Sequence, residues 1–218
     1  LIHCGVLAYS PSTFAVFASG AGSNFEALAT AARESGFPGS IALLVSDEPA
    51  APVIARARRL DVPSLVLPVG RYRTRIEDEE VWVETLTTRG IDAVLLAGFM
   101  RRLHAPLLDA FPDRILNVHP SLLPAFPGRD AIARAREHGV LVTGVTVHVV
   151  RESLDAGPIV SQAPILVHED DTVATLQARV HAVEHQLYPA AVRRYFGSPH
   201  RIEGDRVVFA PAEEVHGG

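Results

Sequence analysis

Short apolar runs alternate with stretches of helical periodicity along most of the chain. Residues 14–18 (FAVFA) read as a buried strand, followed by a glycine turn and a helix over about 24–34. A second strand at 41–45 precedes an alanine- and arginine-rich helix at 50–60, and a third at 64–67 precedes a helix at 74–88. Residues 92–97 and 115–118 make a fourth and a fifth strand. These runs are apolar on both faces, as strands are when helices cover both sides of a parallel sheet. Strict strand–helix alternation predicts a doubly wound α/β fold.

The second half has a different pattern. Residues 120–127 read PSLLPAFP, and three prolines exclude a helix or a central strand there. A helix is expected over 129–138, then two long strands at 142–150 and 159–167. A long helix follows over 172–195, in which Val173, Leu176, Val180, Val183 and Leu187 step by 3, 4, 3, 4 and predict one buried stripe. The tail around 201–209 can form a small hairpin turned at Glu203, Gly204 and Asp205. No repeat, low-complexity tract or linker separates the halves. The expectation is one mostly parallel sheet continued into a C-terminal half with antiparallel strands and a long helix.

Composition narrows the function. With 218 residues and 23.5 kDa, the chain is one large domain or two tightly joined halves. A net charge of −5 argues against a general grip on nucleic acid through phosphate neutralisation. Cys4 is the only cysteine, which excludes an internal disulfide and any multi-cysteine metal site. All 20 basic side chains are arginine, so Schiff-base, pyridoxal and Walker-type lysine chemistry are excluded. No stretch approaches the roughly 18 unbroken apolar residues of a membrane span. The first ten residues lack the basic start and clean cleavage site of a signal peptide. The chain is therefore expected to be cytoplasmic, a monomer or homodimer, with no nucleic-acid or membrane partner. Residues 1–12 are read as an N-terminal extension.

The turn SGAGSN (19–24) lies between the first strand and its helix. Backbone N–H groups at a helix start favour an anion, and Gly20 and Gly22 let a phosphate approach the main chain. Phe25 occupies the third glycine position of a dinucleotide fingerprint, which points away from a pyrophosphate and toward a single phosphate. The alternative is a tight turn with no ligand.

The segment NVHPSLLPAFPG (117–128) begins at the end of the fifth strand. Asn117 and His119 are two residues apart and project to one face. A neutral amide and an imidazole at strand ends can together hold an oxygen that gains negative charge during acyl transfer. A buried histidine satisfied by backbone is the competing reading. Asp155, in LDAGPI, can favour the imidazolium and position water if it meets His119, or can simply form the turn before Ala156, Gly157 and Pro158. His181, Glu184 and His185 fit the H-x-x-E-H pattern of inverted zinc proteases, but no third ligand is evident. A solvated helix face, or a substrate contact from Glu184, accounts for the same residues.

Six motifs then fall in one order: SGAGSN, LAGFMRRL (96–103), NVHPSLLPAFPG, TGVTVHVV (143–150), LDAGPI and VEHQLYP. In that order and spacing, over about residues 13–196, the chain resembles the phosphoribosylglycinamide formyltransferase family, the folate-dependent enzymes of purine biosynthesis. The resemblance implies a Rossmann-like phosphate-binding half (13–115) joined to a catalytic, folate-cleft half (116–196), with 197–218 as a tail. It implies transfer of a formyl group from 10-formyltetrahydrofolate, as co-substrate, to the amine of glycinamide ribonucleotide, with no metal. Asn117, His119 and Asp155 match the catalytic trio. Gly22, Ser23, Asn24, His181 and Glu184 match the ribonucleotide site. Arg75, the stretch Met100, Arg101, Arg102 and Leu103, and the stretch Arg151, Glu152, Ser153, Leu154 and Asp155, together with Asn117, match folate-contacting positions. Ala156 stands where the family often has a second glycine. The segment 129–136 lacks histidines that some members carry. The alternative is 10-formyltetrahydrofolate deformylase, which lets water attack the same carbon with the same trio. SGAGSN favours the transferase, since a deformylase has no ribonucleotide to hold. A methionyl-tRNA formyltransferase needs a further RNA-binding domain, for which 218 residues leave no room.

Overall fold

Alternate residues of the first strand, β1 (Ser12–Phe17), belong to different cores: Phe14 and Val16 to one, Ala15 and Phe17 to the other. That is the geometry of a strand sandwiched between helices, and a fully buried side chain of this kind contributes about 1.5–3 kcal/mol. The computed structural model describes residues 11–67, 70 and 76–211. β1 pairs in parallel with β2 (Gly39–Ser46) and β4 (Ala93–Leu96). β3 (Ser64–Val66) extends the sheet beyond β2, and β5 (Ile115–His119) extends it beyond β4, both in parallel. β6 (Val142–Val149) then pairs antiparallel with β5, and β7 (Ile159–Leu166) antiparallel with β6. The hairpin of β8 (His200–Glu203) and β9 (Arg206–Phe209) joins β7 through the single pair Ile159↔Arg206. The result is one sheet of nine strands in the order β3-β2-β1-β4-β5-β6-β7-β9-β8, so the two halves share it as the sequence predicts.

On one face lie α1 (Ser23–Ala31), α2 (Pro52–Arg59), α5 (Ala131–His138) and α6 (Val173–Gly197), and on the other α3 (Glu79–Thr88) and α4 (Ala105–Ala110). The short α4 has no counterpart in the sequence reading, because six residues are too few to show a helical period. The predicted stripe on α6 is rotated. Val173 is exposed and Val183 and Leu187 are half-buried, while Leu176, Val180, Glu184, Tyr188, Val192 and Tyr195 are buried. Glu184 and Tyr188 occupy the middle of the stripe because their polar ends have partners inside. The Tyr188 hydroxyl meets the carbonyls of Leu96 and Leu116 at 3.1 and 3.0 Å, which ties α6 to β4 and β5.

The face under α3 and α4 changes character at β5. Ile115 still belongs to that apolar core, but Asn117 and His119 follow it on the same side. Opposite them on β6 stand His148 and Thr146, in register with Asn117 and His119. Residues 120–128 cover this polar face in place of a helix. Gly144 lets them lie directly on β6, since a Cβ there would come within 2.2 Å of the Ala163 carbonyl and 2.6 Å of Leu122. The Thr146 hydroxyl donates to Ser121 O at 2.7 Å and accepts from the Leu123 N–H at 3.0 Å and from the Gln162 amide at 2.9 Å.

Candidate active site

Asp155 sits between two histidines at the end of β5 and β6. Its Oδ2 faces His119 Nδ1 at 3.5 Å, and its Oδ1 is 3.7 Å from His148 Nε2. All three side chains are buried, with at most 8% of each exposed, so the contacts act with little solvent screening. Asp155 takes a left-handed backbone conformation, φ +50°, one that aspartate tolerates better than most residues. Its Oδ2 also accepts the Gly128 N–H at 2.6 Å, which fixes the carboxylate against the proline-rich segment.

Hydrogen bonds assign the rings. His148 Nδ1 donates to the Val149 carbonyl at 3.0 Å, so Nε2 of the neutral ring accepts from the Asn117 amide at 3.2 Å. Burial pushes the His148 ring below the usual imidazole range, and the charge of His119 adds to this, while Val149 and Asp155 pull the other way. One N–H of Asn117 is thereby committed, and the second is left for an oxygen in the cleft. His119 Nε2 donates to the Phe126 carbonyl at 2.9 Å, and its Nδ1 faces Asp155. The first is a hydrogen bond, and the second, at 3.5 Å, is an ion-pair distance.

The glycine turn follows β1, which β4 separates from β5. Gly22 caps α1 with φ +79°, and a Cβ there would come within 2.3 Å of Val53. The turn is held from behind by Val53 N–H to Gly20 O at 3.1 Å and Arg56 Nε to Ala21 O at 2.7 Å. Ser23 and Asn24 open the helix. The Asn24 side chain turns to α6, where its amide donates to Glu184 Oε2 at 2.7 Å, and its Oδ1 is buried with no hydrogen-bond partner. Burial pushes the Glu184 carboxyl above the usual range, offset in part by Asn24 and by the charges of His181 and His119. His181 lies one turn earlier and is half-buried, with its ring stacked near that of His185. Glu184 faces inward to Asn24 while the two histidines stack together, so H-x-x-E-H does not converge on one point.

The residues matched to folate behave unequally. Met100 and Leu154 are each 54% exposed, apolar side chains on two loops that touch where Arg102 donates to Glu152 O at 3.1 Å. Glu152 and Ser153 are exposed, and Arg151 pairs with Asp113. Leu103 is buried, so its side chain is closed to a ligand, and Arg101 turns away to Asp47. Arg75 lies outside the described residues.

The sequence profile of the formyl transferase family matches residues 12–192. The chain belongs to the formyl transferase family. The phosphoribosylglycinamide formyltransferase of Bacillus subtilis (strain 168) is 44% identical over 190 residues, 87% of this chain and 97% of the relative. The crystal structure of glycinamide ribonucleotide transformylase 1 from Symbiobacterium toebii superposes with a TM-score of 0.87 at 44% identity, covering 91% of this chain and 93% of that one. A formyltetrahydrofolate deformylase from Pseudomonas syringae pv. tomato str. DC3000 superposes with a TM-score of 0.80, covering 91% of this chain and 65% of that one. At 24% identity it shares the fold and carries no more than that. Among the described residues of this formyl transferase, no helix is long and apolar enough to cross a membrane.

Sequence reasoning overlooked His148, Thr146 and Asp47. The signal for the first two was present: in VTVHV (145–149) the valines 145, 147 and 149 share one parity, and Thr146 and His148 share the other with the site. It becomes readable only once β6 is known to pair with β5.

Proposed function

We propose that this formyl transferase moves a formyl group from 10-formyltetrahydrofolate to the amine of glycinamide ribonucleotide, using Asn117, His119 and Asp155. The observation that carries this reading is the buried Asp155 carboxylate lying against both His119 and His148. The amine attacks the formyl carbon, and the carbonyl electrons move onto oxygen. Asn117 and a protonated His119 stabilise that oxygen, a contribution of the kind whose loss costs about 10²–10³ in turnover. Asp155 lies beside His119 Nδ1 and orients the ring. The proton leaving the amine passes through water near Asp155 to the departing folate nitrogen, so the products are a formamide and tetrahydrofolate with no net proton change. His119 Nε2 is bonded to Phe126 O, so that nitrogen must exchange this carbonyl for the formyl oxygen while Asp155 stays beside Nδ1.

The backbone N–H groups of Ser23 and Asn24 take the substrate phosphate. Asn24 Oδ1, buried without a partner, and Glu184 supply acceptors for the hydroxyl or amine hydrogens of the same substrate. Met100 and Leu154 fit the apolar body of the formyl donor. No metal takes part in this scheme. An assay with glycinamide ribonucleotide or water as the sole acceptor tests it. Formyl transfer that requires the ribonucleotide is expected. Release of formate at the same rate without it would assign the chain to deformylation.

A further inference from the structure

We propose that Arg101 is a positioning residue, which sets the folate-side loop through a buried ion pair with Asp47 and does not meet the formyl donor with its guanidinium. This rests on the formyl-transfer reading above and deepens it. Arg101 follows β4 and Asp47 follows β2, so the pair spans the carboxyl end of β1 that lies between them. Arg101 Nε donates to Asp47 Oδ2 at 2.6 Å, with only 14% of the arginine and 6% of the aspartate side chain exposed. A guanidinium so enclosed is spent on the protein. Its neighbours show the same division. Met100 and Arg102 are exposed and Leu103 is buried, so alternate residues of the loop face out and in.

Two further anchors hold the loop from behind. Ser19 opens the glycine turn, and its N–H donates to Gly98 O while its hydroxyl accepts the Met100 N–H, both at 3.3 Å. At the far end the buried Glu79 accepts from the His104 backbone N–H at 3.0 Å and from His104 Nδ1 at 2.8 Å. The loop is thus set at its start by Ser19, in its middle by Asp47 and at its end by Glu79. Asp47 Oδ1 is buried with no hydrogen-bond partner, so removing Arg101 strands a buried carboxylate.

The test is steady-state kinetics of Arg101→Ala, Asp47→Ala, Arg101→Lys and the double alanine variant, varying each substrate separately. Both single alanine variants are expected to raise KM for the formyl donor by about tenfold, with kcat and the ribonucleotide KM within about twofold of the parent. The double variant should be no worse than Arg101→Ala, because the two side chains act as one unit, and Arg101→Lys should recover part of the loss. An unchanged donor KM in Asp47→Ala beside a raised one in Arg101→Ala would overturn the proposal and make Arg101 a direct contact. Equal loss of kcat and both KM values with a lowered melting temperature would overturn it in favour of a general structural role. Equilibrium binding of tetrahydrofolate to the same variants gives the same comparison without turnover, so a parent enzyme that fails to formylate the ribonucleotide would count against the reading above and leave this test standing.

Discussion

The two faces of β5 and β6 are built from the same ten or so residues and obey different rules. On one face Leu116, Val118, Val145, Val147 and Val149 join the core that includes α6. On the other, His119 and Thr146 bond to residues 120–128 and Asn117 bonds to His148, so their polar atoms are matched to specific partners. The apolar face draws its stability from area removed from water, which depends weakly on which hydrocarbon is present. The polar face gains only about 0.5–1.5 kcal/mol net per hydrogen bond but loses about 1–3 kcal/mol when one partner is removed. One face therefore holds the sheet together and the other holds an arrangement in place.

A pair of substitutions separates these roles most widely. Leu176, fully buried on α6, should cost about 2–5 kcal/mol of stability as Leu176→Ala and leave the turnover of the folded fraction unchanged, measured by urea unfolding beside an active-site-normalised assay. Asp155→Asn should do the reverse. Asparagine also tolerates φ +50° and can still accept the Gly128 N–H, so the fold should persist while turnover falls by about 10²–10³. Wild-type turnover in folded Asp155→Asn would remove the carboxylate from the mechanism.

A smaller effect is expected where the polar face meets its cover. Thr146→Val keeps the shape of the side chain but withdraws the acceptor of the Leu123 N–H and the donor to Ser121 O. The loss should be about 1–3 kcal/mol. Turnover should fall as well, because residues 120–128 carry the Phe126 carbonyl that orients His119 and the Gly128 N–H that holds Asp155. Stability lost with turnover intact would show that the cover is not what aligns the site.

The same division explains what could be read in advance. β1, β2 and β4 announce themselves because burial on both faces leaves continuous apolar runs. Period two alone puts Asn117 and His119 on one face and leaves open whether that face is a site. His148 was not legible: a lone histidine among valines becomes part of a site only when β6 pairs antiparallel with β5, and register is a tertiary fact. Arg101 illustrates the limit of resemblance. A motif marks which stretch meets a ligand, but the direction of each side chain depends on partners such as Asp47 that lie far away in the chain. The α6 stripe was misplaced for a related reason, since Glu184 and Tyr188 fill core positions that a purely apolar pattern assigns to hydrocarbon.

The smallest effect expected is on the pH dependence of stability, and its two contributions have opposite sign. His148 is lowered by burial, so the folded state resists its protonation. Its contribution is intact above the ordinary imidazole value of 6.5 and is lost as the pH falls from there toward the lowered folded value. Glu184 is raised by burial, so the folded state resists its ionisation. Its effect is absent well below the ordinary carboxyl value of 4.5, and stability declines as the pH rises from there through the raised folded value. Glu184→Gln keeps an acceptor for the Asn24 amide and cannot ionise. Thermal unfolding from pH 4 to 8 should show this variant gaining on the parent as the pH rises and losing that advantage toward pH 4. A variant whose advantage instead grew on acidification would show that Asn24 and the neighbouring histidines outweigh burial at Glu184, and would make that carboxylate a stabilising group within α6.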